Sequence, residues 1–74
     1  MKEYNGHKSW NQWNVSLWLS NDYSLYTYAI HLMEIYSFNK AVDVLFAGLK
    51  GTKTPDGARY NKLSIRNALK GLSE

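Results

Sequence analysis

The chain has 74 residues, of which 45% are hydrophobic and 20% are charged, and it contains no cysteine. This length indicates one small domain, and the composition is that of a folding sequence. Without cysteine, disulfide bonds and thiolate metal sites are excluded. The longest apolar run, 41–49, is too short to span a bilayer, and the N-terminus does not resemble a signal peptide. We therefore expect a small cytoplasmic protein with no membrane partner.

Charge is divided unevenly between the two halves of the chain. Residues 1–37 hold two lysines and three acidic residues, whereas residues 38–74 hold seven basic residues and three acidic ones. All of the +3 net charge therefore comes from the second half. Such an asymmetry points to an anionic partner.

The first predicted helix begins at Ser9. Ser9 and Gln12 fit a capping box, in which each side chain bonds to a backbone amide of the other residue. Asn14 lies among large apolar residues and is predicted to be a buried hydrogen-bonding group that satisfies an indole or a loop carbonyl. Residues 20–22 end this helix, and Asn21 or Asp22 caps the next one. The apolar face that recurs at helical spacing consists of Trp10, Trp13, Leu17 and Trp18.

Two more helices follow in chain order. The second is predicted at 23–36, and its outer side carries Tyr23, Tyr26 and Tyr28. The third begins after Ser37 as its cap, and Gly51 fits the left-handed position that follows a helix end. The inward residues of the second helix are predicted to be Leu25, Ala29, Leu32, Met33 and Tyr36. Those of the third are predicted to be Phe38, Val42, Leu45, Phe46 and Leu49.

Residues 54–57, Thr-Pro-Asp-Gly, are typical of a tight turn, since proline presets one dihedral angle and glycine supplies a positive φ. The turn fits a bare loop or the tip of a short hairpin, and the lack of flanking apolar alternation favours the loop. Ser64 is predicted to cap a closing helix with Ile65, Ala68, Leu69 and Leu72 inside. The predicted fold is all-α, a compact bundle of about four short helices in one domain, 1–74, with a polar N-terminal arm at 1–8.

The tryptophans of the first helix have two interpretations. Exposed, they would be interface hot spots or platforms for stacking nucleic-acid bases. Buried, they would supply a core, which a short chain without disulfides needs, and we favour this interpretation. The predicted structural core is Trp10, Trp13, Leu17, Trp18, Leu32, Leu45, Phe46 and Leu69.

Catalytic and metal chemistry find little support in the sequence. His7 lies in the polar N-terminal arm, and His31 precedes Glu34 by three residues, so that His31 and Glu34 share a helix face. No third ligand stands at a spacing that would complete a metal site. The serines lack a neighbouring base, and no glycine-rich run makes Lys53 part of a phosphate loop. We predict no enzyme activity, no metal and no cofactor.

The basic residues of the second half also have two interpretations. They form a surface for phosphates or for an acidic protein, or they are the ordinary solvated side of the last loop and helix. Surplus tyrosines on the second helix are candidates for a protein interface. The predicted partner-binding residues are Lys53, Arg59, Lys62, Arg66, Lys70, Tyr23 and Tyr26.

Three segments in and around the first helix form a recognisable pattern: Tyr4-Asn5-Gly6, Trp13-Asn14-Val15-Ser16-Leu17-Trp18 and Asn21-Asp22. This pattern resembles that of a family of small uncharacterised proteins found in phages, plasmids and some bacteria. The 54–57 turn followed by Tyr60 resembles the second landmark of the family. The chain departs from the pattern at Asn11-Gln12, where Glu-Thr is usual, and in its basic last helix. The resemblance implies a domain of unknown function in mobile elements, and it implies no reaction.

Three hypotheses of function remain open. The first is a non-enzymatic phage or mobile-element protein that binds and inhibits a host protein or nucleoprotein complex in the bacterial cytoplasm, most concretely a defence system, as anti-CRISPR proteins do. The second is a small basic nucleic-acid-binding module. The third is a structural or assembly component of a phage. The small size and the surplus tyrosines favour the first.

Overall fold

The computed structural model describes residues 9–73, which contain four α-helices joined by short connections. Helix α1 spans Trp10–Asn21, α2 spans Tyr23–Ile35, α3 spans Phe38–Leu49 and α4 spans Lys62–Ser73. The predicted all-α bundle of four short helices is therefore confirmed for this part of the chain. The predicted N-terminal arm, 1–8, with His7, lies outside the described residues.

Side-chain caps fix the starts of the first three helices. The side-chain oxygens of Ser9, Asp22 and Ser37 each accept a hydrogen bond from the backbone amide three residues later, at 3.1–3.3 Å. Each bond satisfies one of the amides that the first turn of a helix leaves without a partner. These predicted caps are confirmed. So is the left-handed residue that follows α3, since Gly51 has a φ of 84°.

The cap of α4 is different from the predicted one. Asn61 Oδ1 accepts from the Ser64 amide at 2.8 Å, and the Asn61 carbonyl accepts from the Ile65 amide at 3.0 Å. The helix consequently starts at Lys62, and Ser64 lies inside its first turn. Ser64 is buried against α1, where its hydroxyl donates to Asn11 Oδ1. The prediction that Ser64 caps this helix was wrong because its hydroxyl is used across the helix interface.

Residues 52–60 form a minimal hairpin rather than the bare loop that the sequence favours. Lys53 and Arg59 pair in one antiparallel bridge, and the Thr54 amide donates to the Ala58 carbonyl at 2.8 Å. Gly57 closes the turn with a φ of 96°, a left-handed conformation common in three-residue hairpin turns. The two arms pair through a single bridge. Arms this short cannot show the alternation of apolar residues by which a longer strand is recognised in a sequence.

The core lies between the helices and the inner side of the hairpin. The predicted core residues Leu32, Leu45 and Leu69 belong to it, and Phe46 packs against it while partly exposed. Tyr36, predicted to point inward, is the C-terminal cap of α2 and is exposed. The buried apolar residues are Val15, Leu19, Ala29, Leu32, Ala41, Val42, Leu45, Ala58, Tyr60, Ile65, Ala68 and Leu69.

The predicted tryptophan core of α1 is wrong. The side of α1 that is buried carries Val15 and Leu19, each with 0% exposure. At 100° per residue, this side lies nearly opposite to the one shared by Trp10, Trp13 and Leu17. Trp10 is 40% exposed. The other predicted core residues of this helix are only partly buried: Trp13, Leu17 and Trp18.

Candidate partner-binding surfaces

The His31 and Glu34 side chains of α2 are not part of a larger group of acidic or histidine side chains in the described residues. His31 and Glu34 are both exposed. Within residues 9–73 no three His, Cys, Asp or Glu side chains are grouped so that they could hold a metal ion. The side chains with the most specific contacts are instead polar ones, between α1 and the hairpin.

Asn14 is the centre of a polar cluster that attaches the tip of the hairpin to α1. It is 1% exposed, its Nδ2 donates to Asp56 Oδ2 at 2.9 Å, and its Oδ1 accepts from the Thr54 hydroxyl at 2.6 Å. The Trp18 indole donates to the same Asp56 oxygen at 2.9 Å. We call Asn14, Trp18, Thr54 and Asp56 the hairpin clamp. Asn14 is thus a buried hydrogen-bonding residue as predicted, although its partners are a carboxylate and a hydroxyl.

The hairpin clamp changes the acidity of its carboxyl group. The hydrogen bond from Asn14, and after it the one from Trp18, lower the pKa of Asp56 below its usual 3.8. Both bonds favour the charged carboxylate, since an amide and an indole N–H can only donate to it. Asp56 is therefore an anion at neutral pH, and its Oδ2 accepts hydrogen bonds from Asn14 and Trp18 of α1.

Asn11 connects α1 to the segment between the hairpin and α4. Its Nδ2 donates to the Arg59 carbonyl at 3.0 Å, and its Oδ1 accepts from Asn61 Nδ2 at 3.1 Å as well as from the Ser64 hydroxyl. A small polar side chain suits this place because backbone and hydroxyl groups of the neighbouring segment need partners. Sequence reasoning gave Asn11 no role.

Gln12 makes a second contact with α4. Its Oε1 accepts from Asn67 Nδ2 at 3.0 Å, so that the side chain predicted to complete a capping box bonds across the helix interface. The capping-box pattern gave Gln12 a role within α1 alone, and no sequence signal predicted its contact with α4.

The predicted basic residues differ in their contacts and in their places along the chain. Lys53 and Arg59 lie side by side on the hairpin, whereas Lys70 lies eight residues beyond Lys62 along α4, a rise of about 12 Å. Between them, Lys62 Nζ lies 2.6 Å from Asp43 Oδ1. The hydrogen bond from Lys62 is the main reason that the pKa of Asp43 is lowered. The structure therefore joins the hairpin pair and separates it from the end of α4.

Arg66 is oriented by α3. Its Nη1 donates to Asn39 Oδ1 at 2.8 Å, and its guanidinium lies 5.4 Å from the centre of the Phe38 ring, in a cation–π arrangement. These contacts orient the guanidinium but do not neutralise its charge, since Asn39 and Phe38 are uncharged. Arg66 also lines an open groove between α3 and α4, together with Phe38, Asn67, Lys70 and Ser73.

Helix α2 exposes more aromatic surface than any other described element. Tyr23 is 79% exposed, and Tyr26 lies beside it, three residues further along the same flank. Tyr28 and Ile35 lie on the opposite flank. Helices α1 and α2 contain no lysine or arginine. We call the large exposed hydrophobic residues on both flanks of this helix and at its C-terminal cap the aromatic face: Tyr23, Tyr26, Tyr28, Ile35 and Tyr36.

Tyr60 packs on the inner side of the hairpin. Burial, and after it the negative charge of Asp22, raise the pKa of its phenol above 10.0. The ring is 7% exposed, so Tyr60 contributes to the core and not to a contact surface.

No helix among residues 9–73 combines the length and the apolar character that crossing a membrane requires.

A sequence profile of DUF7249, described as a family of unknown function, matches residues 1–73. The chain therefore belongs to this family, which confirms the resemblance to a domain of unknown function. Neither a curated protein nor a solved structure is similar to the chain in the same comparisons.

Proposed function

We propose that this member of DUF7249 is a non-enzymatic binding protein that contacts a protein partner through the aromatic face of α2. The observation that carries the proposal is the 79% exposure of Tyr23, with Tyr26 on the same flank. Tyrosine is enriched at interface hot spots because a large ring and one hydroxyl lose little conformational entropy when they are covered. The fold itself gains little from Tyr23, which leaves the residue available to a partner.

The concrete form that we propose is a phage or mobile-element protein that inhibits a host complex in the bacterial cytoplasm, such as an anti-CRISPR-like inhibitor of a defence system. The resemblance of the segment 13–18 to small phage and plasmid proteins supports this setting. Residues 9–73 hold seven basic and four acidic residues. This balance suits a target with an acidic groove or a nucleoprotein complex, whereas mimicry of DNA requires a surface rich in carboxylates.

A second candidate function, nucleic-acid binding, is favoured by the exposed pair Lys53 and Arg59. A protein that neutralises phosphates loses affinity as salt rises, with a logarithmic slope of about 0.7–0.9 per phosphate. Binding to arbitrary duplexes with such a slope is the signature of this alternative.

Recovery of partners from lysate of the host bacterium, with nuclease added, tests the proposal. We expect the wild type to recover a host protein complex that survives nuclease, and the double variant Tyr23→Ser/Tyr26→Ser to lose it. The matched control is Leu63→Ser, since Leu63 is also a large exposed apolar residue but lies on α4. Equal recovery by the tyrosine variant, or recovery through nucleic acid alone, would contradict the proposal.

A further inference from the structure

The outer side of the hairpin holds two positive charges close together. Hydrogen bonds join Thr54 to Ala58 and Thr52 to Tyr60, on either side of the Lys53–Arg59 bridge. Lys53 and Arg59 are therefore a non-hydrogen-bonded pair, the arrangement in which opposed side chains approach most closely, with Cβ atoms about 5 Å apart.

The pair points away from the body of the protein. Along each arm the side chains alternate, and the inward positions Thr54, Ala58 and Tyr60 are buried while Lys53 and Arg59 are exposed. Like charges directly opposite each other destabilise a strand pair. The hairpin thus keeps an arrangement that its own folding does not favour.

No acidic group of the described residues neutralises this pair. Neither side chain has a hydrogen bond or an ion pair within residues 9–73. The one acid in the hairpin, Asp56, directs Oδ2 to Asn14 and Trp18, and neither Lys53 nor Arg59 contributes to lowering its pKa. The nearest basic residue of α4, Lys62, has its own partner in Asp43.

The hairpin is also held in place before any ligand arrives. The hairpin clamp fixes its tip, and Asn11 Nδ2 fixes the Arg59 carbonyl at 3.0 Å. Two cations on a backbone fixed in this way lose little freedom when they bind an anion, which favours affinity.

We propose that Lys53 and Arg59 form a binding site for carboxylates on an acidic segment of the protein partner. The inference rests on the proposed function. It adds that the partner carries an acidic segment, a property that the aromatic face does not specify. A guanidinium can hold one carboxylate with two parallel hydrogen bonds, and the neighbouring ammonium offers a point charge to a second one.

Carboxylates fit this site better than a nucleic-acid backbone does. Affinity for a nucleic-acid backbone increases with the number of phosphates that lysines and arginines neutralise. Here the hairpin supplies two cations, and of the next basic residues along the chain Lys62 is paired with Asp43 and Arg66 is oriented by α3. The site is small and local, as a contact with one acidic segment requires.

Titration of isotope-labelled full-length protein with a short polyglutamate peptide, followed by NMR, tests the site. We expect the largest amide shifts at residues 53 and 59, and an affinity at least about tenfold lower in Lys53→Gln/Arg59→Gln. The matched control is Lys40→Gln/Lys70→Gln, which removes the same charge from exposed positions on α3 and α4. The control should bind within about twofold of the wild type.

Thermal melts of the same variants report on folding. Lys53→Gln/Arg59→Gln should melt at the same temperature as the wild type or higher, since a repulsion is removed. Absence of binding, shifts spread evenly over all basic residues, or equal losses in both double variants would overturn the inference. So would a short DNA duplex that binds at residues 53 and 59 where the peptide does not. None of these results depends on Tyr23 or Tyr26, so the site and the proposed aromatic interface can fail separately.

Discussion

Helices α1 and α2 contain no lysine or arginine, whereas the hairpin and α4 together contain five basic residues. The first region presents exposed aromatic rings, with Tyr23 as the most exposed. The second is attached to the rest of the protein by polar bonds that start from Asn11, Gln12 and Asn14 on α1. The comparison shows that α1 buries Val15, Leu19 and the polar Asn14, while its tryptophans are exposed or only partly buried. Bulk alone therefore does not identify the inward side of a helix in this protein.

The largest contrast is expected between a buried leucine and an exposed tryptophan. Leu45→Ala should lower the free energy of unfolding by about 2–5 kcal/mol, because Leu45 has 0% exposure and its removal leaves a cavity. Trp10→Ala should cost about 1 kcal/mol or less, although it removes more atoms. Chemical denaturation of both variants measures the difference. If Trp10→Ala were the more damaging, the outward assignment of this side of α1 would be wrong.

Local features of the fold could be predicted from the sequence because their partners lie close in the chain. Ser9, Asp22 and Ser37 each bond to an amide three residues later, and the turn at Gly57 is encoded within four residues. Helices α3 and α4 are apolar on one side and charged on the other, so that their inward residues are evident.

The rest could not be predicted because it depends on partners far away in the chain. Asn14 bonds to residues 40 and 42 positions later, and nothing near it in sequence reveals them. Those bonds hold the hairpin on α1 at Asn14 and Trp18, while Val15 and Leu19 on the same helix enter the core. For the same reason the sequence suggests that the basic residues act together. In the structure Lys62 is paired with Asp43, and Arg66 is bonded to Asn39.

The next largest effect is expected in the hairpin clamp. Asn14→Ala removes the partners of Asp56 and Thr54 at a buried position, and should cost about 1–3 kcal/mol. Asn21→Ala, at the exposed end of α1, is the matched control and should change little. Urea titration separates the two variants. Equal stability of both would show that the hairpin is not held by this cluster.

Substitutions at Gly57 and Gly48 allow the effect of backbone conformation to be measured apart from that of steric contact. A Cβ atom would meet nothing within 4 Å at Gly57 or at Gly48, but only Gly57 has a positive φ. Gly57→Ala should therefore destabilise by about 1–2 kcal/mol, and Gly57→Val by about 1–3 kcal/mol. Gly48→Ala, at an exposed position in the last turn of α3, should stabilise by about 0.4–1 kcal/mol. Thermal melts measure both signs, and a neutral Gly57→Ala would contradict the turn geometry.

A smaller effect on the stability of the fold is expected when the pH is lowered. Because the pKa of Asp56 is lower in the folded protein than its usual 3.8, its contribution to stability is complete above that value and is lost as the pH falls through the folded pKa. Asp56→Asn should flatten this part of the stability profile. The indole N–H resonance of Trp18 should follow the same titration in the wild type.

Asp43 also has a lowered pKa, and salt separates its contribution from that of Asp56. The ion pair of Asp43 with Lys62 is more than half exposed, so added salt should weaken it. The bonds of Asp56 come from neutral donors and should persist. An acid profile of Asp56→Asn identical to that of the wild type at high salt would count against the hairpin clamp.

Site-specific photo-crosslinking in the host cell tests most directly whether the aromatic face is the partner-binding surface. A photoreactive phenylalanine analogue replaces Tyr23 in one variant and Leu63 in the other, so that the same probe is exposed on α2 or on α4. We predict one discrete crosslinked host protein from position 23 and none of that species from position 63. The same crosslinked products from both positions, or none from position 23, would contradict the account.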